Sequence, residues 1–246
     1  MKSSFLALLA APFLAMAAPL ESRQGNPPAF FLAGDSTTAV DGGWGDGLVA
    51  ILRDGAIGQN KGHSGATTAS FVAAGDWETV LSLVETNRGK HDCYVTIQFG
   101  HNDQKSNSGV GISQFQTNVE NMANEVTAAG GTPIILTSLT RRTFSDGTLD
   151  DSLADVSEAA KKAAAAVGAA VLDLNAASRK YVQAIGSSDA DRYNLEQGDR
   201  THLNDHGAAV FGRMVADLVV SWDSELSAYI TADAALSEKI AQGVYA

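Results

Sequence analysis

Residues 29–38 read AFFLAGDSTT, five apolar residues that stop abruptly at Gly34-Asp35-Ser36-Thr37-Thr38. A half-exposed strand alternates apolar and polar side chains, whereas an unbroken apolar run suits a strand covered on both faces, as in a parallel sheet. Cys93–Phe99, Pro133–Leu139 and Ala169–Leu174 read the same way, and Ala56–Gln59 reads as a weaker strand. Helical patterns lie between these runs. Ile112, Phe115, Val119, Met122 and Val126 recur at three- and four-residue spacing, so a helix is predicted over Ile112–Ala129, ending at Gly130-Gly131. Leu153–Ala170 is an alanine-rich helix. Ala208, Phe211, Val215, Leu218 and Val219 mark a last one, with Asn204 or Asp205 as its N-cap. Strands that alternate with helices imply right-handed crossovers and an α/β fold: a three-layer α/β/α sandwich around a mainly parallel central sheet.

The chain has 246 residues, 45% of them hydrophobic and 18% charged, which excludes a largely disordered, collagen-like or coiled-coil protein. With no internal repeat, linker or change of composition, one domain is expected over 29–246. Ahead of it, Lys2, the apolar run Phe5–Phe13 and Ala15-Met16-Ala17 have the form of a signal peptide over residues 1–17. Residues 18–28, with Pro19, Pro27 and Pro28, read as a tail or short propeptide. A secreted, extracellular protein is therefore expected. No later stretch approaches the roughly 20 apolar residues of a membrane helix. The 17 Lys and Arg against 28 Asp and Glu give a net charge of −11, which opposes binding to nucleic acid or an anionic membrane surface. Cys93 is the single cysteine, so no intramolecular disulfide can form, and its apolar neighbours mark it as a buried small hydrophobe. No Asn-X-Ser/Thr acceptor occurs, and a monomer without cofactor or metal is expected.

In an open parallel sheet, ligands bind beyond the carboxyl ends of the strands. Asp35-Ser36-Thr37, Asn60-Lys61-Gly62-His63-Ser64-Gly65, Gly100-His101-Asn102-Asp103 and Thr140-Arg141-Arg142 follow four of the predicted strands, and Asp199-Arg200-Thr201-His202 precedes the last helix. Ser36 is the candidate nucleophile, raised at a strand-to-helix turn whose N–H groups favour a developing oxyanion. A hydroxyl needs a base. Asp199 and His202 are three residues apart, so the carboxylate can fix one ring nitrogen while the other faces Ser36. Ser36 N–H, Gly65 N–H and the Asn102 amide are candidate oxyanion donors. Taken singly, each has a plainer reading: Ser36 as an N-cap, Asn102 as a turn residue, His202 as a structural hydrogen-bonder. His63, His101 and His206 stay in that structural class, and Asp35 and Asp103 read as loop-ordering carboxylates. The combination carries the catalytic reading.

The motifs Gly34-Asp35-Ser36, Asn60-x-Gly62-x-Ser64-Gly65, Gly100-x-Asn102-Asp103 and Asp199-x-x-His202 resemble the four blocks of the SGNH (GDSL) hydrolase superfamily, over residues 30–206. Within it, GDST, GHND and Leu139-Thr140-Arg141-Arg142-Thr143-Phe144 look like the fungal rhamnogalacturonan acetylesterases. The resemblance implies a flavodoxin-like sheet, Ser36 as nucleophile, Gly65 and Asn102 as oxyanion donors, and Asp199 with His202 as the supporting dyad. It also implies an acetylated polysaccharide, of the pectin type, as substrate.

An acidic protein repels polygalacturonate unless cations line its cleft. Arg141 and Arg142 are candidates to pair with a uronate carboxylate, against the alternative that they are solvated or salt-bridged. Trp44 and Trp77 can stack on sugars, with core or rim packing the favoured alternative. The competing functions are a short-chain carboxylesterase or lipase-like hydrolase, a metal-dependent phosphoesterase using Asp35, Asn102, Asp103, Asp199 and His202, and a non-catalytic glycan-binding protein.

Overall fold

The computed structural model describes residues 25–246. The expected signal peptide, and the expected tail as far as residue 24, lie outside the described residues. Strand β1 (Pro28–Gly34) leads through helix α1 (Gly45–Val49) to β2 (Ile57–Asn60), and helices α2 (Thr68–Ala73) and α3 (Asp76–Asn87) precede β3 (Asp92–Gln98). Helix α4 (Ile112–Ala129) connects to β4 (Thr132–Leu136). A small hairpin, β5 (Phe144–Ser145) with β6 (Thr148–Leu149), comes before α5 (Ala154–Val167) and β7 (Ala170–Leu172). Helices α6 (Leu174–Ala190), α7 (Asp205–Trp222) and α8 (Ala234–Gln242) follow.

Five strands form one parallel sheet in the order β2-β1-β3-β4-β7. Because β2 and β3 lie on opposite sides of β1, the winding reverses there, and the carboxyl end of β1 is the crevice where ligands bind in flavodoxin-like sheets. Both faces are covered. Phe31, Ala33, Val95, Ile97 and Ile135 enter one core with Val80 and Val84 of α3, Phe115, Val119 and Met122 of α4 and the alanines of α5. Their strand neighbours Phe30, Leu32, Ile134, Leu136 and Leu172 enter the other, with Leu48 of α1, Tyr181 of α6 and Val210, Phe211 and Val215 of α7. Cys93 is buried, and burial pushes its thiol pKa up. No helix among the described residues is long and apolar enough to cross a membrane.

Helix α4 has the predicted bounds, although Ile112, the first residue of its stripe, is exposed. Three other elements are shorter than predicted. β4 ends at Leu136 because the next polar side chains turn elsewhere: Thr137 Oγ1 donates to Asp173 and Ser138 Oγ to the Phe99 carbonyl. β7 ends at Leu172 because Asp173 caps α6, accepting from Ala176 N–H. α5 stops at Val167, where Gly168 takes a left-handed φ of 67°.

Gln98, buried at the end of β3, accepts from Trp44 Nε1 at 2.7 Å and donates to Thr37 Oγ1 at 2.7 Å. It ties the sheet edge to the turn after β1. Gln98→Leu leaves the buried indole N–H without that acceptor and should lower unfolding free energy by about 1–3 kcal/mol in urea denaturation. An unchanged midpoint would show that the Trp44 N–H does not depend on Gln98.

Candidate active site

Ser36 lies just beyond β1, in a tight turn where Thr38 and Ala39 N–H both donate to the Asp35 carbonyl. Asp35 shapes the turn from inside, its Oδ1 accepting from Thr37 N–H (2.9 Å) and Thr37 Oγ1 (2.8 Å). Gly34 is required by close approach, since a Cβ there would sit 2.3 Å from Thr38 Oγ1 and 2.7 Å from the Gln98 carbonyl.

The second partner arrives from the far end of the chain. His202 Nε2 is 2.9 Å from Ser36 Oγ, and His202 Nδ1 is 2.8 Å from Asp199 Oδ2. Asp199 Oδ1 accepts from Thr201 and His202 N–H, each at 3.0 Å. Partial burial pushes the Asp199 carboxyl up, but hydrogen bonds from His202 N–H, Thr201 N–H and the imidazole outweigh it, and its pKa is lowered. An ionised Asp199 accepts only, so the Nδ1 it faces carries the ring proton. The lone pair on Nε2 therefore faces the Ser36 hydroxyl, as a general base requires.

The other sequence-predicted residues fall into three groups. The first is the pair of oxyanion candidates. The loop after β2 is tied to the Ser36 turn by His63 N–H on the Gly34 carbonyl and by Asn60 Nδ2 on the Thr38 carbonyl. Gly65 in this loop has φ +82°, a backbone that L side chains rarely adopt. Among the described residues, the N–H groups of Ser36 and Gly65 donate to no acceptor. Asn102 Nδ2 spends one hydrogen on the Ala66 carbonyl (2.9 Å) and has a second to offer. Its Oδ1 accepts from Lys105 Nζ at 2.6 Å, a contact the sequence reading missed although Lys105 is one turn along the same loop.

The second group is structural. Asp103 Oδ1 accepts from Thr68 N–H and Oγ1, so it joins the loop after β3 to the start of α2. Burial, aided by the Asp35 charge, pushes the Asp103 pKa up despite those bonds. His101 is buried with Nδ1 3.5 Å from Asp35 Oδ2. Burial pushes Asp35 up, and its attraction to His101 together with its hydrogen bonds outweighs this and lowers it. His63 Nδ1 faces Asp76 at 2.5 Å on the surface, and His206 Nε2 faces the Ala246 carbonyl. Two of these histidines thus have aspartate partners, but neither pairing has the three-residue spacing of Asp199 and His202. Trp44 and Trp77 are both core residues, their N–H groups donating to Gln98 and Glu125, which removes them as sugar platforms.

The third group is the two arginines, which the fold separates. Arg142 has no exposed surface, and its guanidinium donates to Asn194 Oδ1 (2.9 Å) and to the carbonyls of Asp199 (3.2 Å) and His202 (2.6 Å). This corrects its assignment as a substrate-binding residue, because a side chain buried under the Asp199–His202 segment cannot meet a polymer carboxylate. Arg141 is half-buried, with Nη2 3.5 Å from the His101 carbonyl. Burial lowers its pKa against the opposing charge of Asp35. Among the described residues, no group of three or more His, Cys, Asp or Glu side chains is placed to hold a metal ion.

Residues 32–210 match the GDSL-like Lipase/Acylhydrolase family. The chain is 30% identical over 212 residues to a rhamnogalacturonan acetylesterase of Bacillus subtilis (strain 168), an alignment covering 78% of this chain and 89% of that one. Among solved structures, a Bacillus subtilis protein superposes with a TM-score of 0.70 at 21% identity over 80% of this chain, which spans 57% of that larger protein. An acetylxylan esterase from Geobacillus stearothermophilus superposes with a TM-score of 0.57 at 18% identity, covering 80% of this chain and 94% of that one. These two likenesses are of fold. The family match across most of the sheet and its loops is of sequence, and by it the chain belongs to the GDSL-like lipase/acylhydrolase family of carboxylic ester hydrolases.

Proposed function

We propose that the chain is a secreted serine esterase that removes acetyl groups from O-acetylated pectin of the rhamnogalacturonan type. The observation that carries this reading is the unbroken hydrogen-bond chain from Ser36 Oγ through the His202 ring to Asp199 at the carboxyl edge of the sheet. The polysaccharide assignment draws its support from the relative named as a rhamnogalacturonan acetylesterase.

In this mechanism His202 Nε2 takes the Ser36 proton as Oγ attacks the acetyl carbonyl carbon. The carbonyl oxygen becomes an oxyanion, stabilised by Ser36 N–H, Gly65 N–H and the second Asn102 amide hydrogen. Collapse breaks the bond to the sugar oxygen, which leaves as a hydroxyl after receiving the proton from His202. Water then attacks the acetyl-Ser36 ester, its proton passing through His202, and acetate departs with Ser36 restored. Asp199 remains ionised throughout and stabilises the transient imidazolium.

Acetate release should be measured across acetylated rhamnogalacturonan, homogalacturonan, xylan and short-chain aryl esters. Preference for acetylated rhamnogalacturonan is expected; a preference for aryl esters of longer acyl chains would replace it with a general carboxylesterase. A serine-directed organophosphate should inactivate the enzyme and a chelator should not, and the reverse pattern would favour a metal-dependent phosphoesterase. Glycan binding without turnover on any ester would favour a binding protein.

Ser36→Ala should lower kcat by at least ~10³ with the fold retained, since one hydroxyl is lost, and His202→Ala should be similarly severe. Near-normal turnover in either would sink the serine mechanism. Asn102→Ala should lower kcat by roughly 10²- to 10³-fold with a smaller change in KM; a pure KM effect would make Asn102 a substrate-binding residue instead.

Arg141 remains the candidate for a uronate carboxylate. Arg141→Gln should lower kcat/KM on the acidic polymer by roughly 5- to 150-fold, the equivalent of about 1–3 kcal/mol for a charge-assisted hydrogen bond, and spare a neutral aryl acetate. Equal losses on both esters would assign Arg141 to the loop it covers.

A further inference from the structure

We propose that Arg142 is a positioning residue for ester hydrolysis, its buried guanidinium fixing the backbone of the segment that carries Asp199 and His202. The proposal rests on the reading of Ser36, His202 and Asp199 as one hydrolytic site.

The segment needs an external support. Residues 199–202 lie between a short 3-10 turn (Asp191–Tyr193) and α7, outside helix and sheet, with an isolated antiparallel bridge between Asn194 and Leu203 nearby. Two of its N–H groups are satisfied from within, Thr201 and His202 donating to Asp199 Oδ1, and Asp199 N–H donates to the Glu196 carbonyl at 3.0 Å. On its carbonyl side, Arg142 supplies most of the donors, the His202 carbonyl accepting also from Leu195 N–H at 3.1 Å. Nη2 reaches the carbonyls at both ends of the segment, Asp199 and His202, while the Arg142 main-chain N–H donates to the Arg200 carbonyl between them at 2.8 Å. One residue thus holds three carbonyls of a four-residue stretch.

The shape of the guanidinium matters as much as its charge. Nε donates to Asn194 Oδ1 while Nη2 meets the segment, so two nitrogens of one rigid plane fix the relation between Asn194, one partner of the bridge, and the dyad that lies between it and Leu203, the other. Asn194 is held in turn by its Nδ2 on Asp191 Oδ1 at 3.1 Å. Burial pulls the Arg142 pKa down to about 10 against the charges of Asp199 and Asp191, which leaves it a cation at neutral pH. A buried cation is costly unless its hydrogens are used. Here the hydrogens of Nε and Nη2 are used, on Asn194 and on the backbone of the base, while the buried Nη1 has no hydrogen-bond partner; a shift of ~1 Å in such a base can cost about 10² in rate.

The test compares Arg142→Met, Arg142→Lys and Asn194→Ala with wild type, after circular dichroism has checked folding. The readouts are kcat and KM on an aryl acetate and the rate at which a fluorophosphonate labels Ser36. Arg142→Met should lose roughly 30- to 100-fold in kcat, with KM changed less than about twofold and labelling slowed in parallel. Arg142→Lys, which keeps the charge without the planar fork, should recover at least about fivefold of that loss. Asn194→Ala, which frees Nε, should lose about 3- to 10-fold in kcat. Folded variants with wild-type kcat and labelling, or with losses confined to KM, would overturn the proposal. If Arg142→Met does not fold, Arg142→Lys and Asn194→Ala decide by the same criteria. Ser36→Ala separates the two levels: its retained turnover would overturn the hydrolytic site itself, whereas its inactivity beside unimpaired arginine variants would overturn the role of Arg142 alone.

Discussion

The parallel pairing of β1 with β3, from Pro28 opposite Asp92 to Gly34 opposite Gln98, sets the level at which everything on the carboxyl edge sits. Asp35 N–H continues the ladder by donating to the Gln98 carbonyl, and only then does the chain turn to present Ser36. Because both faces of the sheet are filled by helices, the strand ends are where polar groups can gather without being buried unpaired. Gln98, Trp44 and Thr37 then form a buried hydrogen-bonded strut directly beneath the turn. The hydroxyl is therefore held by the register of the core strands rather than by a flexible loop.

Most of this was legible in the sequence because the signals were local. The apolar runs around Phe30, Val95 and Ile134 announced strands covered on two faces, and the stripe through Phe115, Val119 and Val126 announced α4. Asp199 and His202 were legible for the same reason, since three residues bring carboxylate and imidazole together. What escaped were contacts between segments far apart in the chain. Nothing in the spacing of His63 points to Asp76, or in that of His101 to Asp35. The adjacent arginines illustrate the limit best. Identical neighbours in sequence, they diverge because the turn after β4 sends Arg142 under the Asp199–His202 segment and leaves Arg141 over the loop after β3.

That divergence also bears on charge. In a chain of net charge −11, a cation committed to backbone carbonyls is one fewer to greet an acidic substrate. Lys105 is similarly engaged, its ammonium resting on the Asn102 amide oxygen, where it orients the amide and draws electron density from its N–H groups. Positive charge near the site is thus applied mainly to internal geometry, with Arg141 as the half-buried exception.

Ser36 and His202 are 166 residues apart, and the helix that follows His202 covers the sheet face lined by Phe30 and Leu32. During synthesis the nucleophile turn and its strands emerge long before either the base or this covering layer. A nascent chain that has not yet reached residue 202 is hydrolytically inert whatever order its sheet has attained, so under the proposed mechanism catalytic competence and closure of the second core face belong to the same late event.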